Sequence, residues 1–330
     1  MVNPEFISFS NRPGLLKKLT LGKDPREKKK IRLVLLILWG GTLGLVGLAV
    51  GYRELPRLWQ KVDTSTTVVS QQFSSLPTAT PTPGMEKEKR ALEEMLKPLR
   101  GTYGIYYQDL ESKKILTINA DKQFMAASLI KLPVMLTLYR EAEAGRINLE
   151  TAYRLQEGNR RGGAGSLQYK PVGYEITYRE LAELMGKQSD NTAFNILSGV
   201  LGENKIQAII DNLGMKKTSF TENLTTPEDI GIFFERLYRG RVVSDKNRDE
   251  ILGFLTKTIW EERIPAGLPE GVRVAHKIGS ETRVVSDAGI VFAEKPFILA
   301  ILSQEVNEIE AKKALPEITK VIYEMRQEAD

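Results

Sequence analysis

The chain has 330 residues, a formal net charge of +5, one histidine and no cysteine. With 42% apolar and 27% charged residues it has the balance of a folded globular protein, which excludes wholesale disorder. Lack of cysteine excludes disulfides, thiolate nucleophiles, zinc–thiolate sites, iron–sulfur clusters and a lipid-acylated cysteine. A single histidine excludes a histidine-rich metal centre, and a serine–histidine–aspartate triad would have to use His276.

The positive charge sits at the front. Residues 1–32 hold nine Lys/Arg and three acidic residues, whereas residues 85–330 hold 35 basic and 37 acidic ones. Leu33 to Tyr52 is an uncharged run, LVLLILWGGTLGLVGLAVGY. Twenty residues at about 1.5 Å each span about 30 Å, the hydrocarbon thickness of a bilayer. The run is longer than the apolar region of a cleaved signal peptide and follows a 32-residue tail, so an uncleaved signal anchor is expected. The basic tail then stays cytoplasmic and the rest is exported, which makes this a single-pass protein of the cell membrane. Topology accounts for the charge, and no nucleic-acid partner is expected. Residues 53–84 carry Pro77, Pro81 and Pro83 among serines and threonines and read as an extended stalk.

From Met85 to Asp330 the patterns of a folded domain return. Ala91, Leu92, Met95, Leu96 and Leu99 mark one helical face. Residues 103–109 and 114–119 predict a β-hairpin. The stretch from about 128 to 240 predicts a mainly helical lobe, in which Thr226-Pro227-Glu228-Asp229 opens one helix and Gly240 closes it. Residues 272–279, 284–293 and 296–303 read as strands, and Ala311–Met325 as a last helix. Strands at both ends with helices between them predict an α+β fold of two lobes: an antiparallel sheet with flanking helices and an inserted all-helical lobe.

Within this frame, Ser128-Leu129-Ile130-Lys131 stands where a polar stretch gives way to an apolar helix. Positions i and i+3 share a helix face, so Lys131 can lie beside the Ser128 hydroxyl. The helix N-terminus favours an alkoxide-like serine, and burial or a second cation would push the lysine towards its neutral, basic form. By itself this spacing is ordinary, and a helix cap followed by a surface lysine accounts for it more readily than catalysis does. Ser189-Asp190-Asn191 follows the helical ITYRELAELMGKQ, and Lys277-Ile278-Gly279 lies in a predicted strand. Serine–x–x–lysine, SDN and a lysine–x–glycine element, in this order, are the set described for β-lactamases and penicillin-binding proteins.

The stretches INADKQFMAASLIK, SDNTAFNIL, NLTTPEDIGIF, RIPAGLPEGVRVAHKIG and VVSDAGIVF extend the match, so that residues 86–328 resemble the class A β-lactamases and related serine D,D-peptidases. The resemblance implies a site between the helical lobe and the sheet and a chemistry without metal or cofactor. It implies Ser128 as acyl-accepting nucleophile, Lys131 as base or relay, and Ser189 as proton donor to the leaving nitrogen. Asn191 would bind the substrate amide and Lys277 the substrate carboxylate, while biasing the charges of Lys131 and Ser189. Gly279 and Ser280 would line the substrate, with the N–H groups of Ser128 and Ser280 as oxyanion hole. Asn195 matches a position that braces the active-site loop. His276 alternates with Lys277 along the strand and is read as structural.

Two features depart from the family. Ile278 replaces a Thr or Ser whose hydroxyl would help bind the carboxylate. The loop before Thr225-Thr226-Pro227 is reduced to SFTENL, without the glutamate that activates the deacylating water, and its one carboxylate, Glu222, reads as an exposed charge. Three activities therefore stay open for a protein expected to be monomeric: a β-lactam hydrolase, a penicillin-binding peptidase or transacylase on cell-wall peptides, and a non-hydrolytic receptor for β-lactams or wall fragments.

Overall fold

The computed structural model describes residues 85–328. The predicted tail, span and stalk lie outside the described residues; among the described residues no helix is long and apolar enough to cross a membrane.

Helix α1 (Glu86–Leu96) leads into β1 (Thr102–Asp109) and β2 (Ile115–Ile118). These form the expected hairpin, with Ile105 opposite Ile118 and Gln108 opposite Ile115. Asp109 shapes its turn by accepting the amides of Glu111 and Ser112 at 3.0 and 2.7 Å. Helix α1 ends before Leu99, which the sequence pattern included, because Pro98 follows its C-cap, Lys97, and disfavours helical backbone there.

Next come β3 (Phe124–Met125), a 3-10 turn at Ala127–Ile130 and α2 (Lys131–Glu143). Strands β4 (Ala152–Arg154) and β5 (Glu175–Thr177) pair as a small ribbon inside the stretch expected to be mainly helical. At three residues each they are too short for alternation to register. Helices α3 (Tyr178–Lys187), α4 (Asn191–Leu201) and α5 (Glu203–Leu213) follow. Strand β6 (Leu224–Thr225) pairs with β3 and precedes α6 (Pro227–Tyr238), whose start is the predicted one. The Thr226 hydroxyl accepts the Asp229 amide at 3.0 Å. Past this helix Gly240 takes φ +63°, the left-handed stop that glycine favours.

The chain ends with α7 (Asp245–Phe254), β7 (Arg273–Glu281), β8 (Val284–Phe292), β9 (Phe297–Gln304) and α8 (Glu308–Glu328). Helix α8 begins before the expected Ala311 because Asn307 Oδ1 accepts the amides of Ile309 and Glu310 at 3.0 and 3.3 Å.

The main sheet is antiparallel, in the order β2-β1-β9-β8-β7, so the first strands close onto the last. Along β9, Phe297, Leu299 and Ile301 join one apolar cluster with Leu92 of α1 and Ile318 of α8; Ile298, Ala300 and Leu302 join another with Phe233 and Phe234 of α6. Helices thus cover both faces, which explains why β8 is buried nearly throughout. Helix α2 is the spine of the helical lobe, buried all round, with α3, α4, α5 and α7 packed on it. That lobe reaches Phe254, beyond the expected limit near 240, while α6 packs on the sheet. Edge strand β7 lies against the 3-10 turn that starts α2, and the sheet meets the helical lobe there.

Candidate active site

The 3-10 turn, the α3–α4 connection and β7 meet at this junction. Ala127 and Ser189 have φ of +48° and +56°, left-handed backbone that costs a non-glycine residue about 1–3 kcal/mol. Local bonds hold them there. The Ala126 amide donates to Asn223 O at 2.8 Å, and the buried Asp190 carboxylate accepts the amides of Ala193 and Leu167 at 2.9 and 2.8 Å.

Lys131, only 2% exposed, gathers the polar groups. Its Nζ lies 3.0 Å from Ser128 Oγ, 2.6 Å from Ser189 O, 3.2 Å from Ser189 Oγ and 2.7 Å from Asn191 Oδ1. Burial pushes its ammonium down to about 8, against the opposing pull of Asp190. Lys277 is also buried, and burial, followed by repulsion from Lys131, drives it well below the usual lysine range while Asp287 opposes. The two lysines converge as expected. The shift of Lys131, however, comes from burial, and their repulsion falls on Lys277. A neutral amine 3.0 Å from a serine hydroxyl can take its proton, and Ser189 Oγ on the same amine offers the onward route.

Asn191 is fixed from three sides: Oδ1 accepts from Lys131, Nδ2 donates to Gly162 O at 2.8 Å, and its amide donates to Ala164 O at 3.0 Å. Asn195 Nδ2 donates to Asn159 O at 3.0 Å, and the Arg161 amide to Thr192 Oγ1 at 3.0 Å, so residues 159–164 are sewn onto α4. Gly165, at φ +100°, leaves room for Asp190; a Cβ there would lie 2.2 Å from its Cγ. The glycine run RRGGAGS was visible in the sequence, but nothing in it pointed to the SDN turn.

On the sheet side, a Cβ on Gly279 would meet Ala126 O at 2.9 Å, so glycine lets β7 lie directly on the turn that carries Ser128. Ile278 is buried and brings no hydroxyl. Ser280 is exposed, and its Oγ accepts from Arg263 Nη2 at 2.6 Å. Nη1 of the buried Arg263 donates to Gly279 O at 3.0 Å and Ser286 O at 2.6 Å. Sequence reasoning missed Arg263, since an arginine in a loop carries no sign of burial.

His276 Nδ1 faces Asp287 at 2.9 and 3.0 Å, and Nε2 faces Glu261 at 3.3 Å and Thr258 at 3.4 Å. These contacts, on the strand face opposite Lys277, give it no part in a serine triad. Glu222 is exposed, on a turn closed by reciprocal backbone bonds between Ser219 and Leu224 at 2.9 and 3.1 Å. Among the described residues no group of three or more histidine and carboxylate side chains could hold a metal ion.

Comparison with known proteins places this geometry. Beta-lactamase 3 of Bacillus cereus is 24% identical over 241 residues, covering 67% of this chain and 75% of that protein. An acyl-enzyme complex of penicillin-G with a leucine-to-glutamate mutant of PBP-A superposes with a TM-score of 0.72 at 26% identity, over 77% of this chain and all of that one. A β-lactamase from Sphaerobacter thermophilus gives 0.68 at 27% identity, over 72% and 96% of the two chains. The family model described as the β-lactamase enzyme family matches residues 87–325. With the two-lobed α+β fold and the serine–lysine cleft in place, the chain belongs to the β-lactamase enzyme family, a family of serine hydrolases.

Proposed function

We propose that the protein opens amide bonds, those of β-lactams among them, by forming an acyl ester on Ser128, and that hydrolysis of this ester is its slow step. The observation that carries this reading is the single amine of Lys131, bonded to both Ser128 Oγ and Ser189 Oγ. In the proposed sequence neutral Lys131 takes the Ser128 proton as Oγ attacks the carbonyl carbon. The N–H groups of Ser128 and Ser280 receive the oxyanion; one such donor is worth about 3 kcal/mol of transition-state stabilisation. As the C–N bond breaks, the proton passes through Ser189 to the leaving nitrogen. Lys277 supplies positive charge for the substrate carboxylate, which in turn restores its ammonium form, and Asn191 faces the substrate amide.

Deacylation is slow in this reading because Glu222 stands exposed on a four-residue turn closed by the Ser219–Leu224 bridge. The likeness to PBP-A, caught as a penicillin acyl-enzyme when a glutamate replaced leucine, supports a penicillin-binding peptidase acting on cell-wall peptides as the second reading. In both, residues 33–52 anchor the domain outside the cytoplasmic membrane, which is where the wall lies.

A chromogenic cephalosporin separates these readings. Full-length protein in detergent should give a burst of one equivalent followed by slow turnover, both absent in Ser128→Ala. Steady turnover without a burst would place the slow step before the acyl ester; a burst with no turnover after it would favour the peptidase reading, and no labelling with retained wall-peptide binding would leave the receptor reading.

A further inference from the structure

One buried charged chain makes no bond to Ser128, Lys131 or Ser189. His276 and Asp287 are both fully buried, and the imidazole stands between two carboxylates, Asp287 from β8 and Glu261 from the segment before β7. A neutral imidazole carries one N–H and could serve only one of them. Thr258 does not relieve the second nitrogen, because its hydroxyl donates to Glu261 at 3.1 Å. With carboxylate oxygens 2.9 and 3.3 Å from the two ring nitrogens, the arrangement requires the imidazolium.

The chain continues towards the cleft. Asp287 Oδ2 accepts the Ile264 amide at 3.0 Å, and Arg263, one residue before, grips Gly279 O, Ser286 O and Ser280 Oγ. The groups around the ring come from every packed element: Asp287 on β8, Glu261 and Thr258 on the preceding segment, and the Leu255 carbonyl, which accepts the His276 amide at 2.8 Å. Asp287 also draws on Lys277 and Arg263, and Glu262 lies 3.7 Å from Arg263.

We propose that His276 is a positioning residue: its imidazolium pins residues 258–264 to the sheet and thereby seats Arg263, which fixes Gly279 and Ser280 at the lip of the acyl site. This rests on the reading of Ser128 as the acylated nucleophile and of Ser280 as the edge facing its acyl carbonyl. Burial pulls the ring's proton affinity down, but Asp287 and Glu261 outweigh it and hold the group at about 9, so the brace is set at neutral pH.

Two measurements on the full-length protein test it. The first is the rate of acylation by a fluorescent penicillin in His276→Gln, Glu261→Gln, Arg263→Met and the His276→Gln/Arg263→Met double variant. A displaced oxyanion edge should slow each single variant by about tenfold, and the double variant by the same about tenfold rather than about a hundredfold, because one residue acts through the other. Independent, multiplying losses, or an unchanged rate in His276→Gln, would overturn the proposal. Should His276→Gln fail to fold, Glu261→Gln, on a half-exposed side chain, carries the comparison with Arg263→Met. The second needs no activity: in 15N-serine-labelled protein the Ser280 amide shift should follow the His276 titration, and cease to follow it in Arg263→Met. A Ser280 amide indifferent to that titration overturns the brace. If the wild type is never acylated, the functional reading fails while the amide titration still decides this one.

Discussion

In the proposed mechanism the shift of Lys131 sets how fast Ser128 is activated. At its ordinary value of 10.5 a lysine is about 0.03% neutral at pH 7; at about 8 it is about 9% neutral. Burial thus supplies about 300-fold more base, on the order of 3 kcal/mol. Stopped-flow acylation by a β-lactam should therefore accelerate about tenfold per pH unit below about 7.5 and level off near 8.5. In Lys131→Met the rising limb should vanish together with most of the rate. The same shift has a cost in stability. Below pH 8 the lysine is charged in the folded and unfolded states alike; between 8 and 10.5 it is neutral only when folded. Its unfavourable contribution is therefore full below 8 and is relieved as pH rises towards 10.5. Lys131→Met should raise stability at pH 7 by about 1–3 kcal/mol, less what the lost hydrogen bonds contributed, and the gain should fade by pH 10.5. A flat acylation profile from pH 6 to 8, or a rising limb that survives in Lys131→Met, would refute the assignment of the base.

Three further outcomes follow from the geometry. Gly279→Ala places a methyl 2.9 Å from Ala126 O and must push β7 off the Ser128 turn; it should destabilise by about 1–3 kcal/mol and slow acylation at least tenfold, read by thermal melting and penicillin labelling. Arg326 fastens α8 to the hairpin, donating to Asp109 at 2.9 Å and Tyr107 at 3.0 Å above the Phe297 ring. Burial pushes the Asp109 carboxyl up, but the Ser112 amide and Arg326 outweigh it, so its contribution is present at neutral pH and lost as pH falls below the usual carboxylate range. Arg326→Ala should cost about 2–4 kcal/mol in urea unfolding at pH 7, and less at pH 3. Glu222→Gln should leave the turnover rate within about twofold, since its carboxylate faces solvent.

Much of this was legible in the sequence because it is local. The hairpin, the Thr226 cap and the three late strands follow from alternation and turn chemistry, and the i, i+3 spacing of Ser128 and Lys131 allows the contact that the SDN and lysine–x–glycine elements single out. What stayed hidden depends on the fold. Ala127 and Ser189 adopt left-handed backbone that their side chains do not favour, so only tertiary contacts impose it. Arg263 and Asp287 look like ordinary loop and strand charges until burial pairs them with the edge of the site. The ribbon of β4 and β5 is too short to show a period. Glycines 165 and 279 were visible, but their reasons, Asp190 and Ala126, lie in other elements.

In the proposed mechanism Ser128 is acylated and its ester is released slowly. Intact-mass spectrometry of the full-length protein after a pulse of penicillin, followed through a chase and mapped by proteolysis, tests it most directly. One adduct per chain is expected, located on Ser128, that persists over minutes and is absent from Ser128→Ala and strongly reduced in Lys131→Met. An adduct on another residue, or full labelling of Ser128→Ala, would contradict it.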